Sequence, residues 1–349
     1  MAHLSLARVM TLPAGHHRQD DAQESPQAPP VAGIRGVSSI SCVVPCYNEA
    51  ENLRSLLPAL SARLASLAPH WEIVLVDDGS TDATGAFLPE WTRMPGVWAL
   101  RLSRNFGKEA ALTAGLQAAA GQMVVMMDAD LQHPPEMLDT FVRHWCAGAD
   151  VVYAVRTQRD SETVLKQLGT RWFYRLLNGG SRFEVPAGAG DFRLMDRKVV
   201  DALLALPEHN RFMKGLYAWV GFEAVAVPYV PAARAHGRTH FSALQLFHLA
   251  LDGLTAFTVW PLRALIAVGF ALALAAFCYG AYLTIEYLAY GHAVGGWTTI
   301  VVSLMLFSGI QLVSLGVVGE YTGRIYEEVK RRPVYVVKQE LGQGLRTDA

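Results

Sequence analysis

Residues 123–136 read MVVMMDADLQHPPE. An apolar run ends abruptly in Asp128 and Asp130, and His133-Pro134-Pro135 then makes a turn. A short apolar run closed by turn residues reads as a buried strand, here over 122–127. Carboxylates at the tip of such a strand have three uses. They bind a cation, act as acid and base, or cap a helix. The neighbouring segments narrow the choice.

Upstream, 40–45 (ISCVVP), 71–76 (WEIVLV) and 97–102 read as strands, and 150–155 (DVVYAV) as another downstream. Helical apolar spacing runs over 49–67 through Leu53, Leu56, Leu57, Leu60 and Leu64, and a second helix is expected over 107–120. Asn48 reads as the N-cap of the first helix, with Glu51 at capping-box spacing. Alternating strands and helices call for a mostly parallel, Rossmann-like sheet covered on both faces. Ligands bind outside the carboxyl ends of such strands. Three of those ends carry acids: Glu49, then Asp77-Asp78, then Asp128-Ala129-Asp130. On an extended chain the two residues at i and i+2 point the same way. Asp128 and Asp130 therefore make a hard-oxygen site for Mg²⁺ or Mn²⁺ beside a diphosphate.

Hydrophobic residues make up 52% of the 349 and charged residues only 17%, which predicts a folded core plus membrane-embedded sequence. The net charge of −1 gives a nucleic-acid partner no support. Cys42, Cys46, Cys146 and Cys278 form no metal-ligand spacing and read as free thiols in a reducing compartment. Residues 1–36 lack an apolar signal core and read as a disordered tail.

Two stretches, 264–285 and 297–319, contain 22 and 23 residues without a charge. Roughly 20 apolar residues cross a bilayer as a helix. The connection 286–296 holds no Lys or Arg, whereas Arg263, Arg324, Lys330, Arg331 and Arg332 flank the outer ends. The positive-inside rule puts both flanks, the catalytic domain and both termini in the cytoplasm of an inner-membrane protein. Residues 164–177 (VLKQLGTRWFYRLL) read as an amphipathic helix either docked on the sheet or lying on the membrane surface, and 241–259 as a second candidate for the membrane surface. The expected division is a tail (1–36), a catalytic domain (37–240), an interfacial helix (241–260), a transmembrane hairpin (261–320) and a cytoplasmic tail (321–349).

The segments VVPCYNEAENL, EIVLVDDGSTDAT, LSRNFGKEAALTAGL, MMDADLQHPPE, GDFRLMDRKVV, RFMKGLYAWVGF and GEYTGRIYEEVKRRP occur in this order. Together they resemble glycosyltransferase family 2, in the branch that makes polyprenyl-phosphate sugars. The resemblance implies a GT-A fold, a nucleotide-sugar donor with UDP-glucose as the best guess, a polyprenyl phosphate acceptor, a bilayer and a homo-oligomer. It implies that Pro45, Tyr47, Glu49 and Asp77 hold the nucleoside, that Asp78 and Lys108 lie at the nucleotide, and that Asp128, Ala129, Asp130 and Gln132 line the donor site. Asp128, Asp130 and Gln132 would hold the metal. Asp130 and Asp191 are the candidate catalytic residues, with Asp191 beside the reacting sugar as base or as orienting group. A lipid phosphate needs fixed cations. Arg156, Lys166, Arg193, Arg234 and Arg238 are the candidates. Thr239 and His240 stand where the family often has a Ser-Lys pair. His133 reads as a turn or surface residue.

Two rivals predict different features. A processive polysaccharide synthase needs a QxxRW motif, but Gln167 to Trp172 has one residue too many and precedes GDFRL. A non-catalytic scaffold predicts broken acidic motifs, whereas Asp77, Asp78, Asp128, Asp130 and Asp191 are all present.

Overall fold

A computed structural model describes residues 35–156, 189–209, 211–230, 260–290 and 296–345. The expected tail up to residue 34 and the segments 164–177 and 241–259 lie outside them. So do Lys166, Arg234, Arg238 and His240.

Eight strands form one sheet: β1 (Ser39–Cys46), β2 (His70–Asp77), β3 (Val97–Leu102), β4 (Met123–Met126), β5 (Val151–Arg156), β6 (Ala189–Asp196), β7 (Ala224–Tyr229) and β8 (Val337–Leu341). Their order is β7-β5-β6-β4-β1-β2-β3-β8. The β4-β1-β2-β3 centre is parallel, as is β5 with β7; β6 and β8 run antiparallel to their neighbours. Alternation along the strands separates two cores. Cys42, Val44, Ile73 and Leu75 face one side with α1 (Ala50–Leu67), α2 (Thr84–Trp91) and α4 (Met137–Cys146). Val43, Val74 and Val76 face the other with α3 (Lys108–Ala118), α5 (Arg197–Leu204) and α6 (Met213–Trp219). α3 presses closely on the sheet because its contact residues are small. A Cβ at Gly115 would lie 2.2 Å from Val43 Cγ1.

The start of α1 differs from expectation. Glu49 occupies the N-cap without a side-chain cap bond. Asn48 adopts φ 58° and its Oδ1 accepts from the backbone N–H groups of Thr81 (2.9 Å) and Asp82 (3.2 Å). Its side chain thus stitches the loop after β1 to the loop after β2 instead of capping its own helix.

Two long helices follow, α7 (Trp260–Tyr290) and α8 (Trp297–Lys330). Ala264–Tyr290 and Thr299–Lys330 are long and apolar enough to cross a membrane. Their apolar side chains are exposed, Phe270, Phe277, Leu288 and Leu304 among them. Such continuous apolar surface needs a bilayer or a partner to cover it.

The C-terminal segment is not a free tail. β8 pairs with β3, Ser103 N–H donates to the Val336 carbonyl, and Tyr335 Oη donates to Gln117 Oε1 on α3. Leu345 N–H donates to Glu72 Oε2, a buried carboxylate that also accepts from Ser41, Trp98 and Ala120. Sequence patterning misses β8 because VKQEL is polar and lies at an exposed edge.

Candidate active site

The loops at the carboxyl ends of β1, β2 and β4 and the start of α3 build the site. Gly79, with φ +70°, lets the loop after β2 press against the Arg104–Asn105 backbone. A Cβ there would approach Arg104 C to 2.5 Å. Asp78 then fixes that neighbouring loop. Its Oδ1 accepts from Phe106 N–H (2.7 Å) and its Oδ2 from Gly107 N–H (2.9 Å). Burial raises the Asp78 carboxyl, against the two backbone donors. Both oxygens are thus committed to the chain itself. Asp78, expected at the nucleotide, is also the post on which the 105–107 loop, and so Lys108, is placed.

Lys108 is the centre of the arrangement. Its Nζ lies 2.6 Å from Asp128 Oδ1 and 2.8 Å from Asp191 Oδ2. Burial alone would raise the two acids and lower the lysine. The ion pairs outweigh it in all three cases: Asp128 and Asp191 stay below the usual carboxylate range, and Lys108 stays above the usual lysine range. Three charged groups from α3, the loop after β4, and β6 therefore remain ionised together. Their sequence separation explains why no local pattern foretells the bridge.

Asp128 and Asp130 do not continue β4. The strand stops at Met126, Leu131 takes φ 59°, and the acids lie in a bend where they meet different partners. Asp128 meets Lys108, with His133 Nε2 3.8 Å from its Oδ2. Asp130 Oδ1 accepts from Gln132 N–H at 3.1 Å. Ala129 is buried between them. His133 is neither a turn ornament nor a surface residue. It is 4% exposed, stacked 4.7 Å from Phe192, with Nδ1 3.1 Å from Tyr229 Oη.

Pro45 and Asp77 sit on neighbouring strands, where Asp77 is buried, accepts from Ser80 N–H (2.9 Å) and pairs with Arg101 (3.2 Å). Tyr47 is 43% exposed at the mouth. Glu49 N–H donates to Thr84 Oγ1, and its carboxylate accepts from Asn52. Among the expected phosphate cations, Arg156 reaches the site, donating from Nη2 to Gln132 Oε1 (3.1 Å) and from Nε to Tyr229 Oη (3.3 Å). Arg193 does not present itself to a ligand. It is 4% exposed, its guanidinium lies 3.4 Å from the Tyr217 ring centroid, and it donates to the Gly190 carbonyl. Strand alternation sends Arg193 inward with Asp191 toward α3 and α6.

Among the described residues, no three His, Cys, Asp or Glu side chains form a cation cage. Asp128, Asp130 and Gln132 still fit a hard divalent cation of the kind held by one or two carboxylates together with substrate phosphates and water. Their oxygens lie within five residues, at the site's edge.

A family model described as Glycosyl transferase family 2 matches residues 41–204. The chain is 42% identical over 302 residues to the SfII prophage-derived bactoprenol glucosyl transferase of Shigella flexneri, spanning 86% of this chain and 97% of that one. The chain belongs to glycosyltransferase family 2. The prophage bactoprenol glucosyl transferase homolog of Escherichia coli is 41% identical over 301 residues, 86% of this chain and 98% of its own. Among solved structures, a mannosyltransferase from Pyrobaculum calidifontis aligns with TM-score 0.43 and 20% identity over 73% of this chain and 83% of that one. This family 2 transferase carries its charged bridge at the carboxyl edge of a GT-A sheet and its two apolar helices at the C-terminal end.

Proposed function

We propose that the protein is an inverting, membrane-bound hexosyltransferase that moves glucose from UDP-glucose to undecaprenyl phosphate. One observation carries the reading: the Asp128–Lys108–Asp191 bridge stands intact in a chain 42% identical, over most of its length, to bactoprenol glucosyl transferases. The exposed apolar helices supply the surface that a lipid acceptor requires.

The reaction is a single displacement. An acceptor phosphate oxygen forms the new bond to the anomeric carbon, and the bond to the donor diphosphate breaks with its electron pair leaving on the nucleoside diphosphate. Attack opposite the leaving group inverts the centre. A phosphate monoester has its second pKa at about 6, so the acceptor needs little deprotonation at neutral pH. Asp191, held ionised by Lys108, accordingly orients sugar and acceptor and need not take a proton. Lys108 keeps Asp128 and Asp191 from repelling one another and holds positive charge where the diphosphate leaves. Arg156 offers the acceptor phosphate a planar donor fork. Asp128, Asp130 and Gln132 would hold Mg²⁺ or Mn²⁺, which when bound neutralises charge on the diphosphate.

The test uses the full chain in detergent, undecaprenyl phosphate, and a panel of labelled nucleotide sugars with and without EDTA. Lipid-linked glucose from UDP-glucose, abolished by EDTA and restored by Mg²⁺ or Mn²⁺, is the expected result. No lipid-linked sugar from any donor overturns the function. Turnover that survives EDTA removes the metal.

A further inference from the structure

Arg156 is exposed, yet its guanidinium is not loose. Its Nε stands 3.3 Å from Tyr229 Oη, Tyr229 Oη stands 3.1 Å from His133 Nδ1, and His133 Nε2 faces Asp128 Oδ2 at 3.8 Å. These contacts have a direction. Arginine carries donors only, so Arg156 Nε–H donates to Tyr229. Donation of the Tyr229 hydroxyl proton to His133 Nδ1 is the arrangement that puts the ring proton on Nε2, toward Asp128. A second contact, Arg156 Nη2 to Gln132 Oε1 at 3.1 Å, closes the chain on the other side. The histidine ring cannot swing away. It is 4% exposed and packed between Phe192 at 4.7 Å and Tyr229 at 5.6 Å, centroid to centroid. Phe192 directly follows Asp191 on β6 and, by strand alternation, packs His133 on the opposite face of the sheet from Asp191.

We propose that His133 and Tyr229 are positioning residues that aim the Arg156 guanidinium at the acceptor's phosphate and tie it to the Asp128–Gln132 edge of the donor site. This rests on the transferase reading above. Arg156 is the last residue of β5, and Tyr229, opposite it in register, is the last of β7. The guanidinium therefore projects from a strand end, with Nη1 left to complete a two-pronged contact to phosphate. A flexible arginine loses rotamer freedom when it binds; holding Nε in advance reduces that loss. Two sites that bind different substrates thus share one set of hydrogen bonds.

The test compares the full-length chain with its Tyr229→Phe, His133→Phe and His133→Asn variants. Kinetics are measured in detergent with undecaprenyl phosphate and donor varied separately. Binding of undecaprenyl phosphate without donor is followed by intrinsic tryptophan fluorescence. Tyr229→Phe and His133→Phe should raise the acceptor KM about ten-fold, the usual scale for losing one hydrogen bond to a charged group. The larger part of the effect should fall on acceptor KM and binding, not on kcat. His133→Asn, which restores an acceptor near the Nδ1 position, should recover much of the affinity. Equal losses in all three variants, or losses confined to kcat, overturn the positioning role. Wild-type binding and turnover with unaltered variants overturns this proposal alone. A wild type that neither binds nor glycosylates the lipid overturns the transferase reading with it.

Discussion

Lys108 stands between two acids at 2.6 and 2.8 Å, so Lys108→Met takes from Asp128 and Asp191 the ammonium they share. Removing one preorganised charge of this kind costs about 10²–10³ in kcat. Lys108→Met should lose at least about 10²-fold in glucosyl transfer with the fold intact by circular dichroism, and Lys108→Arg should fall between it and the wild type. Activity within a few-fold of wild type would exclude the bridge from the chemistry. Glu109, the next residue, makes a prediction about pH. Its Oε2 is buried without a hydrogen-bond partner, and burial followed by the nearby Asp191 charge pushes its carboxyl up to about 8 from 4.5. Between those values the folded chain keeps a proton that the unfolded chain has released. The sign follows: this contribution to stability is full below about 4.5 and is lost as pH rises through about 8. Glu109→Gln, uncharged throughout, should flatten the fall of Tm across that window in differential scanning fluorimetry. A slope identical to wild type would show that Glu109 is not the group responsible. At this scale the sequence names most of the participants and misses how they connect. Asp128, Asp191 and Lys108 are each legible in a motif, but the bridge joins residues up to 83 positions apart (191 − 108). His133 is misread because His-Pro-Pro looks locally like a turn, and Tyr229, which explains it, lies 96 positions away.

Among the elements, the central strands and α1 and α3 are legible because apolar periodicity and β-branched runs survive in any sequence that buries both faces of a sheet. The expected range 97–102 is the observed one, and the other expected ends differ from the observed ones by at most two residues. β6, β7 and β8 were beyond that pattern: β6 carries Asp191 and Arg193 inward, and β7 and β8 lie at sheet edges with alternating exposure. The loop held by Asp78 is the element on which Lys108 depends. Asp78→Asn retains only one acceptor oxygen for two backbone donors, Phe106 and Gly107, and introduces an amide donor that neither can accept. It should lower stability by roughly 1–3 kcal/mol, the cost of leaving one buried donor unpaired. It should also reduce kcat, because Lys108 loses its fixed approach to Asp128. Urea unfolding and hydrogen exchange at residues 105–108 measure the two parts separately. Faster exchange with unchanged kcat would detach the loop from catalysis. Wild-type exchange rates would remove Asp78 as its support.

Across the whole molecule, the C-terminal strand constrains the topology more tightly than charge counting does. α8 has 34 residues and is about 51 Å long at about 1.5 Å per residue, whereas a hydrocarbon core is about 30 Å thick. Its excess lies at the charged C-terminal end. There Glu328 accepts from His209 N–H (2.9 Å), and seven residues beyond Lys330 the chain enters β8 beside β3. The far end of α8 is therefore fastened to the catalytic sheet, and an α8 that crosses a bilayer begins on the side opposite that sheet. The clustering of Arg324, Lys330, Arg331 and Arg332 on the sheet side is the pattern the positive-inside rule expects of a cytoplasmic side, and labelling tests that expectation. In a background lacking Cys42, Cys46, Cys146 and Cys278, Gly296→Cys should react with a membrane-impermeant maleimide added to intact spheroplasts, and Gln343→Cys should react only after lysis. Inverted vesicles should exchange the two results. Labelling of both positions from one side would rule out the hairpin, because β8 cannot leave the sheet without also giving up the Leu345–Glu72 and Tyr335–Gln117 bonds. The same anchoring gives a stability consequence. A stop after Pro333 removes β8, exposes the edge of β3 and takes a backbone donor from buried Glu72. At about 1 kcal/mol per lost hydrogen bond, it should cost several kcal/mol and favour aggregation through the freed edge.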